Sequence, residues 1–364
     1  MQQAVVLFGG GRWGKEYVAD MIRATGAELI WPHEWQRART FGQVAVIALD
    51  EYIAEDALAV AEKLGVPFYP TESHFITFHK HRLRALWNEL AVGNPDLMAL
   101  PFEWLTNGAP SIAPPLFPLI IKPDAYSGSV GVRLVQQPAE LNGALDQLKY
   151  ILKQEQAAYA GDFDVCQDIL LEQAIPRKPM SGCESEFTLH LLSRNGQHCL
   201  LATAEKQLNP DSYIEIGHTV PAVSIPQAFI EIAVAVTVQM LQQLEVQQCI
   251  SNWEFIITPN NQITLVEGQL RPSGDRLMKL IQLATGINPF EALLGGEVAA
   301  QHHKTACIKW LGPEDILLVD GKYTIPNLPV GWETIIDEAA LRVNPEWPGP
   351  IDWYNRHVAV VGTL

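Results

Sequence analysis

Residues 119–132, Leu-Ile-Ile-Lys-Pro-Asp-Ala-Tyr-Ser-Gly-Ser-Val-Gly-Val, constrain the fold most. An apolar strand ends on Lys122, a small-residue loop follows (Ser127, Gly128, Ser129, Gly131), and a second strand begins at Val132. The ammonium of such a lysine is a compact point charge. Glycines let backbone N–H groups turn toward an anion with no Cβ in the way. The arrangement suits phosphate, although an ordinary Gly-rich hairpin has the same local pattern, and the choice rests on the rest of the chain.

Two β-rich runs, Ser251–Thr258 and Ile263–Glu267, flank the turn signal Pro259-Asn260-Asn261-Gln262. A hairpin centred between Asn260 and Asn261 pairs residues whose numbers sum to 521, which sets Glu254 directly opposite Glu267. Cross-strand partners lie about 5 Å apart at Cβ, and like charges so placed repel. A cation between them removes the conflict. Carboxylate oxygens suit Mg²⁺, which completes its shell with phosphate and water. The competing reading is a pair of solvated edge glutamates.

The 364 residues are 48% hydrophobic, enough for two or three domains with substantial cores. A net charge of −16 argues against broad nucleic-acid contact but leaves room for a nucleotide, since a few local cations outweigh a negative whole. No apolar run reaches membrane-spanning length, and the start reads as a first strand rather than a signal peptide. Five scattered cysteines without a C-x-x-C pair fit a reducing cytoplasm and no structural zinc. His74, His79 and His81 share no single helix face and make no metal set.

Strand–helix alternation over the first 75 residues predicts a small parallel α/β domain. Its strands are expected at 4–9, Glu28–Trp31, Val44–Ala48 and Val66–Tyr69. A helical linker follows (76–117), with one helix over Thr77–Leu90, then units at 118–180 and 181–304 and a β-rich segment at 305–364. Gly9, Gly11 and Gly14 match G-x-G-x-x-G, yet Trp31-Pro32-His33 stands where a dinucleotide fold needs an acidic strand end. Tight strand–helix packing, with helix N–H groups facing a carboxylate, suits these glycines better.

The ordered set resembles the ATP-grasp superfamily, and within it the carboxylate–amine ligases related to biotin carboxylase and the L-amino-acid ligases. It runs from Phe8-Gly9-Gly10-Gly11 through Lys80 and Arg84, Ile121-Lys122-Pro123…Gly131, Leu170–Ile175, Glu186-Phe-Thr-Leu-His and Ile216-Gly217-His218. It closes with Glu254…Glu267-Gly-Gln-Leu-Arg271-Pro-Ser-Gly274-Asp275. The resemblance implies an α/β ATP-grasp architecture: a Rossmann-like first domain, a lid, an α+β core and a short β-rich end. It also implies ATP and Mg²⁺ as cofactors, small-molecule carboxylate and amine substrates, and a homodimer among the expected assemblies. Lys80, Lys122 and the Ser127–Gly131 loop would meet phosphates. Glu172, Gln173 and Ile175 would meet adenine, and Glu186 the ribose. Glu254 and Glu267 would hold metal, and Arg271 would steady the γ-phosphate and an acyl phosphate, with ADP and phosphate released.

The chain departs from the pattern at several points. Gln269 stands where an asparagine is common, so its place as a metal ligand stays open. An insertion at 177–185 makes Glu184 a rival to Glu186. His218 and Arg276 are candidates for substrate contact, as is Arg12; each also has a structural reading. An ATP-binding regulatory or partner subunit without ligase chemistry is the alternative function.

Overall fold

The computed structural model describes residues 2–9, 15–108, 116–158, 164–178, 185–209, 215–298, 304–319, 322–326, 328–336, 341 and 357–364. Gly10 to Gly14, Arg12 included, and Cys183 and Glu184 lie outside the described residues.

The first unit follows the alternation. Strand β1 (Gln3–Phe8) is followed by helix α1 (Lys15–Arg23), β2 (Glu28–Ile30), β3 (Gln43–Ala48) and α2 (Ala54–Leu64). The three strands form a parallel sheet ordered β2-β1-β3. Ala4, Val6 and Phe8 face one core while Val5 and Leu7 face another, so β1 is apolar on both sides, as a covered parallel strand must be. Val66–Tyr69 forms no strand. This stretch instead docks on the second half of the chain, where Phe68 O accepts N–H bonds from Gln247 and Gln248 at 2.8 and 3.1 Å.

The single helix expected over Thr77–Leu90 is two, α3 (Thr71–Phe78) and α4 (Lys80–Ala91), broken at His79. Asp124 supplies the reason. Its Oδ1 accepts the His81 N–H at 2.8 Å and its backbone O the Lys80 N–H at 3.0 Å, giving the unsatisfied donors of the new helix start their partners.

A second unit contains β4 (Phe102–Leu105), a strand the sequence reading does not anticipate, then β5 (Leu119–Pro123), β6 (Arg133–Val135), the long α5 (Pro138–Ala158) and β7 (Ile169–Gln173). The antiparallel sheet runs β4-β7-β5-β6, and α5 packs on it through Leu141, Leu145, Leu148 and Leu152. This unit has its own hydrophobic cluster.

The third unit is built on an eight-stranded antiparallel sheet. Its elements are β8 (Glu186–Arg194), β9 (Gln197–Leu208), β10 (Glu215–Val220), α6 (Gln227–Gln243), β11 (Gln248–Ile257), β12 (Ile263–Gln269), α7 (Leu277–Thr285), α8 (Pro289–Leu293) and β13 (Ala306–Trp310). A short β14 (Leu317–Val319) and β15 (Lys322–Thr324) pair apart, and β16 (Glu333–Ile336) and β17 (Val358–Thr363) complete the large sheet. Its order is β12-β11-β8-β9-β10-β13-β17-β16. The period-two alternation of strands then sorts the side chains. Phe187, Leu189, Trp253 and Phe255 turn to a core with α6. The alternate residues Glu186, Thr188, His190, Asn252 and Glu254 therefore share the other face.

Candidate active site

Glu254 and Glu267 are direct cross-strand partners. The route to that pairing differs from the expected one. The turn is a three-residue loop, with Thr258 N–H on Gln262 O at 2.8 Å and Asn261 left-handed at φ 58°. This pairs Ile257 with Ile263 and Phe255 with Leu265, a register summing to 520. A β-bulge at Val266 then shifts it by one and sets Glu254 against Glu267. Two pairs on, past Trp253 and Gly268, Asn252 faces Gln269, giving four oxygen-bearing side chains on one face. Gly268 between them is forced, because a Cβ there would meet the buried Trp253 ring at 2.4 Å.

Cations converge on these carboxylates. Lys80 Nζ lies 3.2 Å from Glu267 and also donates to Tyr126 O in the glycine loop. Lys206, which sequence reasoning missed, is buried with its Nζ 2.6 Å from Glu254, 3.0 Å from Glu215 and 3.1 Å from Glu186. Its one signal is that it is the lone lysine of the β-rich stretch Leu200–Leu208. The three carboxylates raise its pKa well above the ordinary lysine value against the opposing effect of burial. Glu254 and Glu267 respond oppositely. Burial pushes Glu254 up to about 7, whereas Lys80 and Lys122 hold Glu267 below the ordinary range despite its burial. Asn252 Nδ2 donates to Glu254 Oε1 and Gln269 Oε1, both at 3.2 Å, and its own Oδ1 is buried without a hydrogen-bond partner.

Lys122 emerges from β5 almost fully buried, 2.5 Å from Glu172 on the neighbouring β7. The other Glu172 oxygen takes the Arg84 Nε at 3.0 Å. Both carboxylate oxygens of Glu172, the residue expected beside an adenine, are thus bonded to cations. Gln173 and Ala174 continue β7 with N–H bonds to Pro101 O and Pro118 O, and the partly buried Ile175 comes next. The loop after Lys122 has Gly128, Ser129 and Gly131 at φ 72°, 55° and 72°. A Cβ at Gly131 would meet Leu148 of α5 at 2.4 Å, so that glycine serves close packing as well as the turn. Glu186 is held by Lys206 and by Arg177 Nη2 at 3.1 Å.

Arg271 follows β12. Its Nε bonds Glu51 of the first unit at 2.8 Å and its Nη1 bonds Pro272 O at 3.1 Å. Glu51 and Glu267 raise its pKa beyond the lowering effect of burial. Asp275 and Arg276 both take left-handed conformations, φ 51° and 59°, which non-glycine residues seldom hold. That backbone brings Asp275 Oδ2 to His218 Nε2 at 3.1 Å and lays the Arg276 guanidinium 4.9 Å over the Tyr17 ring. His218 Nδ1 and Arg276 Nε are buried without hydrogen-bond partners. His190, also missed, contacts Ser273 Oγ through Nδ1 at 3.2 Å, and burial holds its pKa near 3, so it is neutral. Two clusters thus adjoin: the carboxylates with their lysines, and a corner of Arg271, Arg276 and the His218–Asp275 pair against the first unit.

A family model for the ATP-grasp domain matches residues 116–278. The chain contains an ATP-grasp domain. The ATP-grasp fold is shared with solved structures at low identity. An L-amino acid ligase from Bacillus licheniformis superposes with a TM-score of 0.65 and 16% identity, covering 87% of this chain and 82% of its own. An N5-carboxyaminoimidazole synthase from Aspergillus clavatus, solved with ADP and 5-aminoimidazole ribonucleotide, gives 0.66 and 13%, covering 100% and 94%. The biotin carboxylase domain dimer of the Hydrogenobacter thermophilus 2-oxoglutarate carboxylase, solved with MgADP and bicarbonate, gives 0.61 and 13%, covering 100% and 86%. A comparison with curated protein sequences finds no match. Among the described residues no helix is long and apolar enough to cross a membrane.

Proposed function

We propose that this ATP-grasp chain is an ATP-dependent ligase that joins a small carboxylic acid to an amine and releases ADP and phosphate. The observation that carries the reading is the opposed pair Glu254 and Glu267 set among Lys80, Lys122, Lys206 and Arg271.

The residues present fit Mg²⁺ and ATP. Two carboxylates and an orphaned amide oxygen, Asn252 Oδ1, supply the hard donors magnesium takes, and a cation would relieve the burial and the neighbouring carboxylates that together raise the Glu254 pKa. Glu254 and Glu267 would hold the metal, with Gln269 next to them. When bound, the metal neutralises phosphate charge. Lys80, Lys122 and the loop Ser127, Gly128, Ser129 and Gly131 would hold the phosphates. Gln173 and Ile175 would border the base, and Glu186 the ribose.

In the reaction a carboxylate oxygen attacks the γ-phosphorus and ADP leaves; an amine nitrogen then attacks the acyl carbon and phosphate leaves. Phosphoryl transfer needs positioning and charge stabilisation more than covalent help. Arg271 is built for that work, since its planar guanidinium matches phosphate oxygens and Glu51 fixes its orientation. Arg276 and His218, each with a buried unpartnered nitrogen, face the adjoining corner where a substrate carboxylate would be read. The decisive assay screens carboxylates with amines for phosphate release and identifies the nucleotide product. The expected result is ADP and phosphate, dependent on both substrates. AMP and pyrophosphate, or ATP binding with no substrate-dependent turnover across the panel, would overturn it in favour of other chemistry or of a regulatory subunit.

A further inference from the structure

Away from the carboxylates, three segments distant in sequence bring a second set of donors together. An imidazole nitrogen of His79, a carboxylate oxygen of Asp124 and the thiol of Cys166 all lie within 4.8 Å of one another. His79 sits at the break between α3 and α4, Asp124 just beyond β5, and Cys166 ahead of β7. The Asp124 N–H bonds Asp168 O at 3.0 Å, which fixes the Cys166 segment beside β5. His81 stands beside this set of three and touches it through Asp124. Its Nδ1 reaches Asp124 Oδ2 at 2.8 Å, the same oxygen that His79 Nδ1 meets at 2.9 Å. The Asp124 side chain is fully buried, so its carboxylate has traded water for two imidazoles. His81 is itself clamped flat on Trp104, with ring centroids 4.1 Å apart at 7°.

We propose that His79, Asp124 and Cys166, with His81 alongside, form a binding site for a zinc-like divalent ion at the junction of the lid and α4. The donor chemistry selects the ion: imidazole and thiolate favour zinc over magnesium or calcium. A thiolate and a carboxylate balance its charge, the His79 imidazole is the third ligand, and water or a small shift of His81 fills the fourth position. Tetrahedral bonds of about 2.0–2.1 Å separate nitrogen and oxygen ligands by roughly 3.3 Å. The imidazole–carboxylate distances here need open by only a few tenths of an ångström. On binding, the Nδ1 protons now shared with Asp124 pass to Nε2 and the thiol proton leaves to solvent. This site is separate from the glutamate pair and does not depend on the proposed ligase activity. It has a mechanical consequence, since an ion here would staple the lid to α4 one residue before Lys80.

The test uses the full chain, stripped by chelator and titrated with Zn²⁺ against a chromophoric competitor in excess Mg²⁺, which occupies the glutamates. One Zn²⁺ should bind per chain, and both Cys166→Ser and His79→Ala should weaken binding by about 100-fold. Co²⁺ in place of Zn²⁺ should give a thiolate charge-transfer band that Cys166→Ser abolishes while its Tm without metal stays near that of the parent. Absence of stoichiometric Zn²⁺ binding, or unchanged affinity in Cys166→Ser, would overturn the proposal.

Discussion

Neutralising Glu254 should change how stability depends on pH, and by an amount that can be worked out beforehand. In the folded chain without metal its pKa stands at about 7 against an ordinary 4.5, with burial the main cause. A carboxyl raised on folding stabilises the native state below its unfolded pKa and loses that contribution as pH rises through the folded value. The window is therefore about pH 4.5 to 7. Between about pH 5.5 and 7.5 this one group should remove roughly 2 kcal/mol. A chain of 364 residues has an unfolding entropy near 0.8 kcal/mol per kelvin, so the shift in Tm is about 2–3 °C. Other groups titrate too, so the quantity to measure is the difference in Tm between the parent and Glu254→Gln, metal-free, at both pH values. The parent should lose about 2–3 °C relative to the variant on going to the higher pH. Saturating Mg²⁺ with ATP should abolish that differential, because a cation favours the charged carboxylate at both pH values. A differential of zero or of opposite sign without metal would refute the burial argument.

Three further outcomes follow from the site. Glu267→Gln should abolish turnover in a coupled ADP assay while leaving circular dichroism unchanged, since the residue is partly exposed and serves charge, not packing. Glu172→Gln should destabilise the chain by about 3–5 kcal/mol in urea denaturation, because it strips Lys122 and Arg84 of the buried carboxylate they share. Arg271→Lys keeps the charge but loses the planar grip and the Nε bond to Glu51; kcat should fall about 10²-fold with little change in ATP affinity by calorimetry.

Much of the site was legible because its residues lie on regular strands. Alternation put Glu254 and Glu267 on one face, and the lysine ahead of the glycines marked the second unit. The expected register nevertheless reached the right pair through two departures that offset each other, a three-residue turn and a bulge at Val266. Lys206 was out of reach for a related reason: a bulge at Leu201 shifts β9 against β8, and simple counting from the Asn195-Gly196 turn sets Lys206 opposite Ser185, not Glu186. His79 was assigned to a helix interior because local spacing carries no record of Asp124, 45 residues away, which ends one helix and starts the next. The strand β4 is short and half-exposed, and only its pairing with β7 makes it a strand.

The clamp on Lys122 bears on the speed and tightness of nucleotide capture. A free lysine side chain gives up about 1.5–2 kcal/mol of rotamer freedom when it is fixed. Here Glu172 and the walls of the second unit have already fixed it, so that loss belongs to folding and is absent from the binding step. The Arg84–Glu172–Lys122 row keeps one net positive charge while its members stay still. An anion arriving at this end of β5 therefore meets a rigid electrode, and the chain's surplus of sixteen negative charges need not rearrange to admit it.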